Sequence, residues 1–260
     1  MTAATPPAST AARAGRILAV ASGKGGVGKT WFAITLAHAL ARAGERVLLF
    51  DGDLGLANVD IQLGLTPAHD LAAVAHGQIP LAAAVQQHEG GFAILAGPSG
   101  SGTLAEIGMA ELEAMLAALR AESAALDRVV LDLGAGLDRT VRRLAGFADT
   151  LLVMTTEEPT SLTDAYVALK LHALDGGAGE ARVVVNQATS RAAGERTYAT
   201  LARACRSFLG HAPALAGVVR RDERVRDAIR RQTLFLTRHP TAPAAADVEA
   251  IAEGIRGAPC

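Results

Sequence analysis

The chain has 260 residues, half of them hydrophobic, enough to bury a sizeable core as a single domain. Its 25 Lys and Arg against 26 Asp and Glu leave a formal charge of −1, so no global field draws it to nucleic acid or an anionic membrane. Two distant cysteines, Cys205 and Cys260, exclude a disulfide framework or a Cys/His zinc site, and aromatics at 3% argue against a base-stacking surface.

Met1–Gly15 is rich in Ala, Thr and Pro with a lone Arg13. It lacks the basic start and apolar stretch of a signal peptide, so it reads as a disordered arm (1–15) ahead of one domain (16–256) and a short tail (257–260). The cysteine usage fits a reducing cytoplasm. An apolar strand, Arg16–Ala21, leads into Gly23–Thr30, GKGGVGKT, which matches G-x-x-x-x-G-K-[ST]. A helix pattern follows over Phe32–Ala43. In this strand–loop–helix context Gly23, Gly25, Gly26 and Gly28, with Val27 between them, turn backbone N–H groups toward phosphate oxygens. The helix N-terminus adds its dipole there. Lys29 then reaches the β- and γ-phosphates, and the Thr30 hydroxyl suits Mg²⁺. Lys24 is a second lysine for which an ordinary phosphate loop has no need.

Farther along, strands are predicted at Arg46–Asp51, Phe92–Leu95, Arg128–Leu133, Thr150–Thr155, Arg182–Asn186 and Leu215–Val219. Helices are predicted at Met109–Glu122, Ser161–Ala173, Arg196–Leu209 and Arg224–Arg231. The alternation implies βαβ crossovers and a doubly wound, mostly parallel α/β sheet with helices on both faces. Val47–Phe50 and Val129–Leu131 are continuously apolar, as doubly buried strands are. Asp51 and Asp53 end one such strand and Asp132 another, at the sheet edge where the phosphate loop lies. Carboxylates in that place suit a hydrated Mg²⁺ and an oriented water. Arg220–Arg231 carries six arginines among Asp222, Glu223 and Asp227, which fits either a DNA-phosphate contact face or a solvated helix with Val225 and Ile229 inward. No run reaches the length of a membrane span. In the last helical stretch, Asp247–Arg256, Asp247, Glu249 and Glu253 disfavour a membrane surface, so its stripe Val248, Ile251 and Ile255 is expected to pack on the domain.

KGGVGKT, with Lys24, resembles the deviant phosphate loop of the MinD/ParA ATPases. DGDLGLANVDIQLGL (Asp51–Leu65) resembles the second signature of that family, especially of its flagellar-type MinD branch. The resemblance runs from about Arg16 to Ile255. It implies a P-loop fold, ATP and Mg²⁺ as ligands, slow ATPase activity and an ATP-dependent homodimer that engages an effector protein. By the same resemblance Lys24 reaches across the dimer to the partner's nucleotide and joins Lys29 and Asp53 as a catalytic residue, Asp53 orienting the attacking water. Thr30, Asp51 and Asp132 (the Walker B position) hold the metal, directly or through water, while Asn58 and Asp60 lie on a γ-phosphate switch. Asn186 contacts adenine. Glu158 and Asp164 meet the partner subunit, Asp164 pairing with its Lys24 and Glu158 placed at the nucleotide. Two positions depart from the pattern: Leu133 stands where relatives carry a small hydroxyl residue, and Arg220 where they carry Pro. The branch's N-terminal Gln-rich activation motif and C-terminal membrane-targeting helix are not evident. The competing expectations are a ParA-like protein binding DNA nonspecifically and a partner-binding nucleotide module without turnover. An iron-protein relative lacks its cysteine pair, and an amidating enzyme lacks its glutamine-hydrolysing domain.

Overall fold

A computed structural model describes residues 15–257 except 68, 70, 98–106 and 178. The expected arm lies outside these residues apart from Gly15, and the expected tail apart from Gly257. The first half runs β1 (Arg16–Ser22), α1 (Lys29–Arg42), β2 (Val47–Gly52), three short helices α2 (Val59–Leu63), α3 (Leu71–Ala75) and α4 (Leu81–Ala84), then β3 (Gln86–Gln87), β4 (Ala93–Leu95) and α5 (Met109–Glu122). The second half runs β5 (Arg128–Ala135), α6 (Arg139–Phe147), β6 (Thr150–Thr155), α7 (Pro159–Leu174), β7 (Glu180–Ala188), α8 (Arg191–Leu209), β8 (Ala214–Arg220), α9 (Arg224–Arg230), α10 (Phe235–Arg238) and α11 (Pro243–Arg256).

The strands form one sheet in the order β3-β4-β2-β5-β1-β6-β7-β8, parallel except for the β3–β4 pair. All seven predicted strands are present. The edge strand β3 consists of two glutamines, too short and too polar to carry a period-2 signal. Helix α6 escapes the periodicity because only Val141, Leu144 and Ala145 face inward among its arginines; Asp138 starts it by accepting from the Thr140 and Val141 amides.

Two apolar layers flank the sheet, assigned by strict alternation. Ile17, Ala19 and Ala21 of β1 join Leu48, Leu131 and Val153 under α5, α6 and α7. Leu18 and Val20 join Leu49, Val130 and Val184 under α1, α10 and α11. Helix α1 is buried from Trp31 through Leu40, so it forms a central pillar rather than an amphipathic cover. Helix α11 packs on α1 and β8 through Val248, Ile251 and Ile255, as expected for that stripe. No helix among the described residues is long and apolar enough to cross a membrane.

One buried residue carries a pH signature. His38 on α1 tilts against Phe92, and its Nδ1 has no hydrogen-bond partner. Burial, reinforced by the neighbouring charges of Arg42 and His88, lowers its pKa to about 4. A base whose folded-state pKa is depressed binds fewer protons than the unfolded chain, so its stability contribution is complete above pH 6.5 and is lost as pH falls toward 4. Across that window the loss is on the order of 3 kcal/mol. The check is denaturant unfolding of wild type and His38→Leu: the difference stays constant above pH 6.5 and moves in the variant's favour below it. A pH-independent difference would show that His38 does not titrate in this way.

Candidate functional site

Register brings the chemistry together. In the parallel β2–β5 pair Asp51 faces Asp132, and in the β1–β5 pair Asp132 faces Val20 while Ser22 faces Ala135. Glycine loop, Asp51, Asp53 and Asp132 therefore meet at the carboxyl ends of the central strands.

Gly26 and Gly28 hold positive φ, at 79° and 90°, and Gly28 forms the left-handed turn from which α1 starts. Gly23 is small for a different reason. A Cβ there would lie 2.6 Å from the Asp164 carbonyl, so helix α7 fixes that position sterically. Lys29 is buried at the start of α1 and donates to Ser22 Oγ at 3.1 Å, while Ser22 donates to the Lys24 carbonyl at 2.6 Å. Burial pulls the Lys29 pKa down, opposed by the charges of Asp132 and Asp53.

The two facing carboxylates differ in their partners. Asp51 Oδ1 accepts from the Asp53 amide at 3.1 Å, and Oδ2 accepts from Asn58 and Val59, both at 3.0 Å. Asp51 thus organises the segment leading into α2, and its burial still raises its pKa to about 6. Asp132 is fully buried, and its pKa is raised by desolvation and then by the charge of Asp51, against the Thr30 hydroxyl and Lys29. Its Oδ1 has no hydrogen-bond partner. Such a carboxylate beside a hydroxyl and a second carboxylate is a place that accepts a hard cation. Among the described residues no three His, Cys, Asp or Glu enclose a metal by themselves, so phosphate oxygens and waters would complete the coordination.

Asp53 is half-buried and accepts from the Leu56 amide at 3.1 Å; a Cβ at Gly134 would stand 3.1 Å from its Oδ1. The turn after Asp132 therefore passes close to Asp53. Leu133, the departure noted in the sequence, is fully buried in the core. Leu56 and Ile61, at 70% and 53% exposure, stand out from the segment that Asp51 organises.

Lys24 lies at the rim. Its Nζ reaches Glu158 at 2.5 Å and Thr160 at 3.0 Å within its own chain, so Glu158 pairs with Lys24 at the start of α7. Beside the loop lies a cavity of about 300 Å³ walled by Gly28, Trp31, Asn186 and Gln187 and, opposite them, by residues from Arg220 to Ile229. Asn186 donates its Nδ2 to the Val27 carbonyl at 2.8 Å and thereby braces the loop. Gln187, in left-handed backbone at φ 55°, donates to the Gly26 carbonyl at 3.3 Å. Ser22, Gln187 and Asp247 (below) carried no motif; only the position of Ser22 directly before the glycine loop hinted at a role.

Four of the six arginines in the run have acidic partners, three of these partners within it and the fourth on α11. Arg220 pairs with Asp247, Arg224 with Asp222, Arg226 with Glu223 and Arg231 with Asp227.

Residues 18–235 match the family model described as the CobQ/CobB/MinD/ParA nucleotide binding domain. The chain is similar to the antiactivator FleN of Pseudomonas aeruginosa, 37% identical over 240 residues that cover 92% of this chain and 86% of that protein. It is also similar to the flagellum site-determining protein YlxH of Helicobacter pylori, 31% identical over 72% of this chain and 63% of that one. In fold it resembles the cell division ATPase MinD of Pyrococcus furiosus, with a TM-score of 0.79 and 23% identity over 93% of this chain and 98% of the other. It likewise resembles a septum site-determining MinD of Pyrococcus horikoshii complexed with Mg-ADP, with a TM-score of 0.78 and 22% identity over 93% and 96% of the two chains. The chain thus belongs to the MinD/ParA family of P-loop ATPases, and within it is similar to the flagellar-type MinD homologues.

Proposed function

We propose that this protein is a cytoplasmic, ATP-dependent dimerising switch whose Mg²⁺-ATPase activity governs the number or placement of flagella. The observation that carries the reading is the convergence of Lys29, Asp53 and Asp132 at one glycine loop, with Lys24 standing outside the cleft. The flagellar assignment draws on the relatives FleN and YlxH.

In the free protein, Asp132 and Asp53 lie near the desolvated Lys29, so the site can take both a cation and an anion. Mg-ATP supplies both. The loop amides and Lys29 bind the β- and γ-phosphates, and the base enters the cavity beside Asn186. Thr30, with Asp132 and Asp51 acting through water, would hold the magnesium, which when bound neutralises charge developing on the phosphates. Asp53 orients the attacking water and accepts its proton. The chemistry asked of the protein is mainly positioning and charge stabilisation.

Lys24 gives the switch its logic. Its partners Glu158 and Thr160 form an exposed contact, of a kind that contributes little and exchanges readily. A second nucleotide brought opposite would offer Lys24 a denser negative charge than Glu158 does. The resulting homodimer then presents a surface for an effector protein. DNA binding by the Arg220–Arg231 face is the weaker reading, since most of its arginines are already paired.

The test is light-scattering mass with Mg-ADP and with Mg-ATP, on wild type and on Lys24→Ala. The expected result is a dimer with ATP only, and a monomer under both conditions for Lys24→Ala, which still binds ATP. A mass unchanged by ATP in the wild type would refute the switch.

A further inference from the structure

We propose that Asp247, on the C-terminal helix α11, is the positioning residue that sets the wall of the nucleoside cavity, so that affinity for the nucleoside half of ATP depends on it while affinity for the triphosphate does not. The inference rests on the ATP reading of the glycine loop.

The side chain of Asp247 is 1% exposed, yet it is charged and fully engaged. It accepts from Arg220 at three donors, the backbone amide (3.0 Å), Nε (2.8 Å) and an Nη (2.9 Å), and from an Arg191 Nη at 3.1 Å. The same Arg220 Nη also donates to the Pro243 carbonyl, at 3.2 Å. Nearby, the Ala244 amide at the start of α11 donates to Asp222, and the Arg221 amide donates to the Ala188 carbonyl at 2.8 Å. One buried carboxylate is thus the centre of a clamp that ties the end of β8 to α11 and to α8.

What the clamp fixes is the cavity wall. Residues from Arg220 onward stand opposite Trp31 and Asn186, across the space beside the glycine loop. This wall runs from the end of β8 through the turn 221–223 into α9, and such a turn keeps one geometry only when its polar groups are satisfied. The Arg220 guanidinium is spent on Asp247, so it serves the cavity by shape and not by touching a ligand. The triphosphate pocket is built separately, from the glycine loop, Ser22, Lys29 and Thr30, none of which contacts Asp247. A buried carboxylate that holds two arginines in fixed geometry is the kind of device that specifies one conformation.

Calorimetric titration with Mg-ADP and with Mg-tripolyphosphate tests this on wild type, Asp247→Asn and Arg220→Gln. Both variants are expected to bind ADP about tenfold or more weakly and tripolyphosphate within about twofold of wild type, with the double variant no weaker than the worse single one. Arg220→Gln breaks the clamp from its more exposed side, so the test stands even where Asp247→Asn does not fold. Equal weakening for both ligands, or no change for either, would overturn the proposal. Failure of the wild type to bind either ligand would instead sink the nucleotide reading on which it rests.

Discussion

Lys29→Ala is expected to abolish measurable ATP binding. Lys29 is the one cation buried in the glycine loop, and in the free protein it is already desolvated and held near Asp132 and Asp53. Its desolvation is part of the free-state cost, so phosphate meets an ammonium that has little water left to lose. A hydrogen bond to a charged group contributes about 1.5–3 kcal/mol, and Lys29 can address two phosphates, which places the loss at about 100-fold or more. The variant also leaves Asp132 and Asp53 without the lysine that stands near them, which works against the further approach of phosphate. The fluorescence of Trp31 offers a direct readout, because it is the chain's single tryptophan and stands in the cavity wall. An ATP-dependent signal that persists in Lys29→Ala with wild-type midpoint would show that the nucleotide binds elsewhere.

Asp53→Ala separates binding from turnover. Asp53 lies beside the Gly134 turn, on the segment held by Asp51, and makes no hydrogen bond to the glycine loop. Removing it should leave ATP affinity near wild type, lower kcat by about 10²–10⁴-fold as expected for loss of a general base, and accumulate the ATP-bound dimer. Asp53→Asn sharpens the argument. It keeps an acceptor for the Leu56 amide while removing the charge, so a loss equal to that of Asp53→Ala assigns the effect to the carboxylate and not to the loop it supports. Wild-type hydrolysis in both variants would remove Asp53 from the mechanism.

The parts of this molecule that were legible in its sequence are those whose cause is local. Continuous apolar runs place β1, β2 and β5 directly, and GKGGVGKT needs only its own backbone to announce a phosphate loop. The parts that were not legible depend on contacts between distant segments. Gly23 looks like a phosphate-loop glycine, yet what excludes a side chain there is the Asp164 carbonyl on α7. Asp247 reads as one of several acids on a terminal helix, and only the fold shows it buried against Arg220 and Arg191. Lys24 is expected to act across an interface with Asp164, and within a single chain it rests instead on Glu158, a pairing set by the distance between the loop and the start of α7. Short elements such as α2, α3 and β3 were illegible for lack of length, since a turn or two of chain carries no period to read.

Asp51 stands in register with Asp132, on which its charge acts, while its carboxylate grips the backbone of the segment that carries Leu56 and Ile61. One carboxylate is therefore shared between the metal-accepting edge and an exposed apolar pair. Free energy is exchanged reciprocally between such sites. If occupancy of the phosphate site shifts the posture of Leu56 and Ile61, any protein that seats on those two side chains must shift nucleotide affinity by the same factor. An effector acting there would set how tightly ATP is held, without ever touching it.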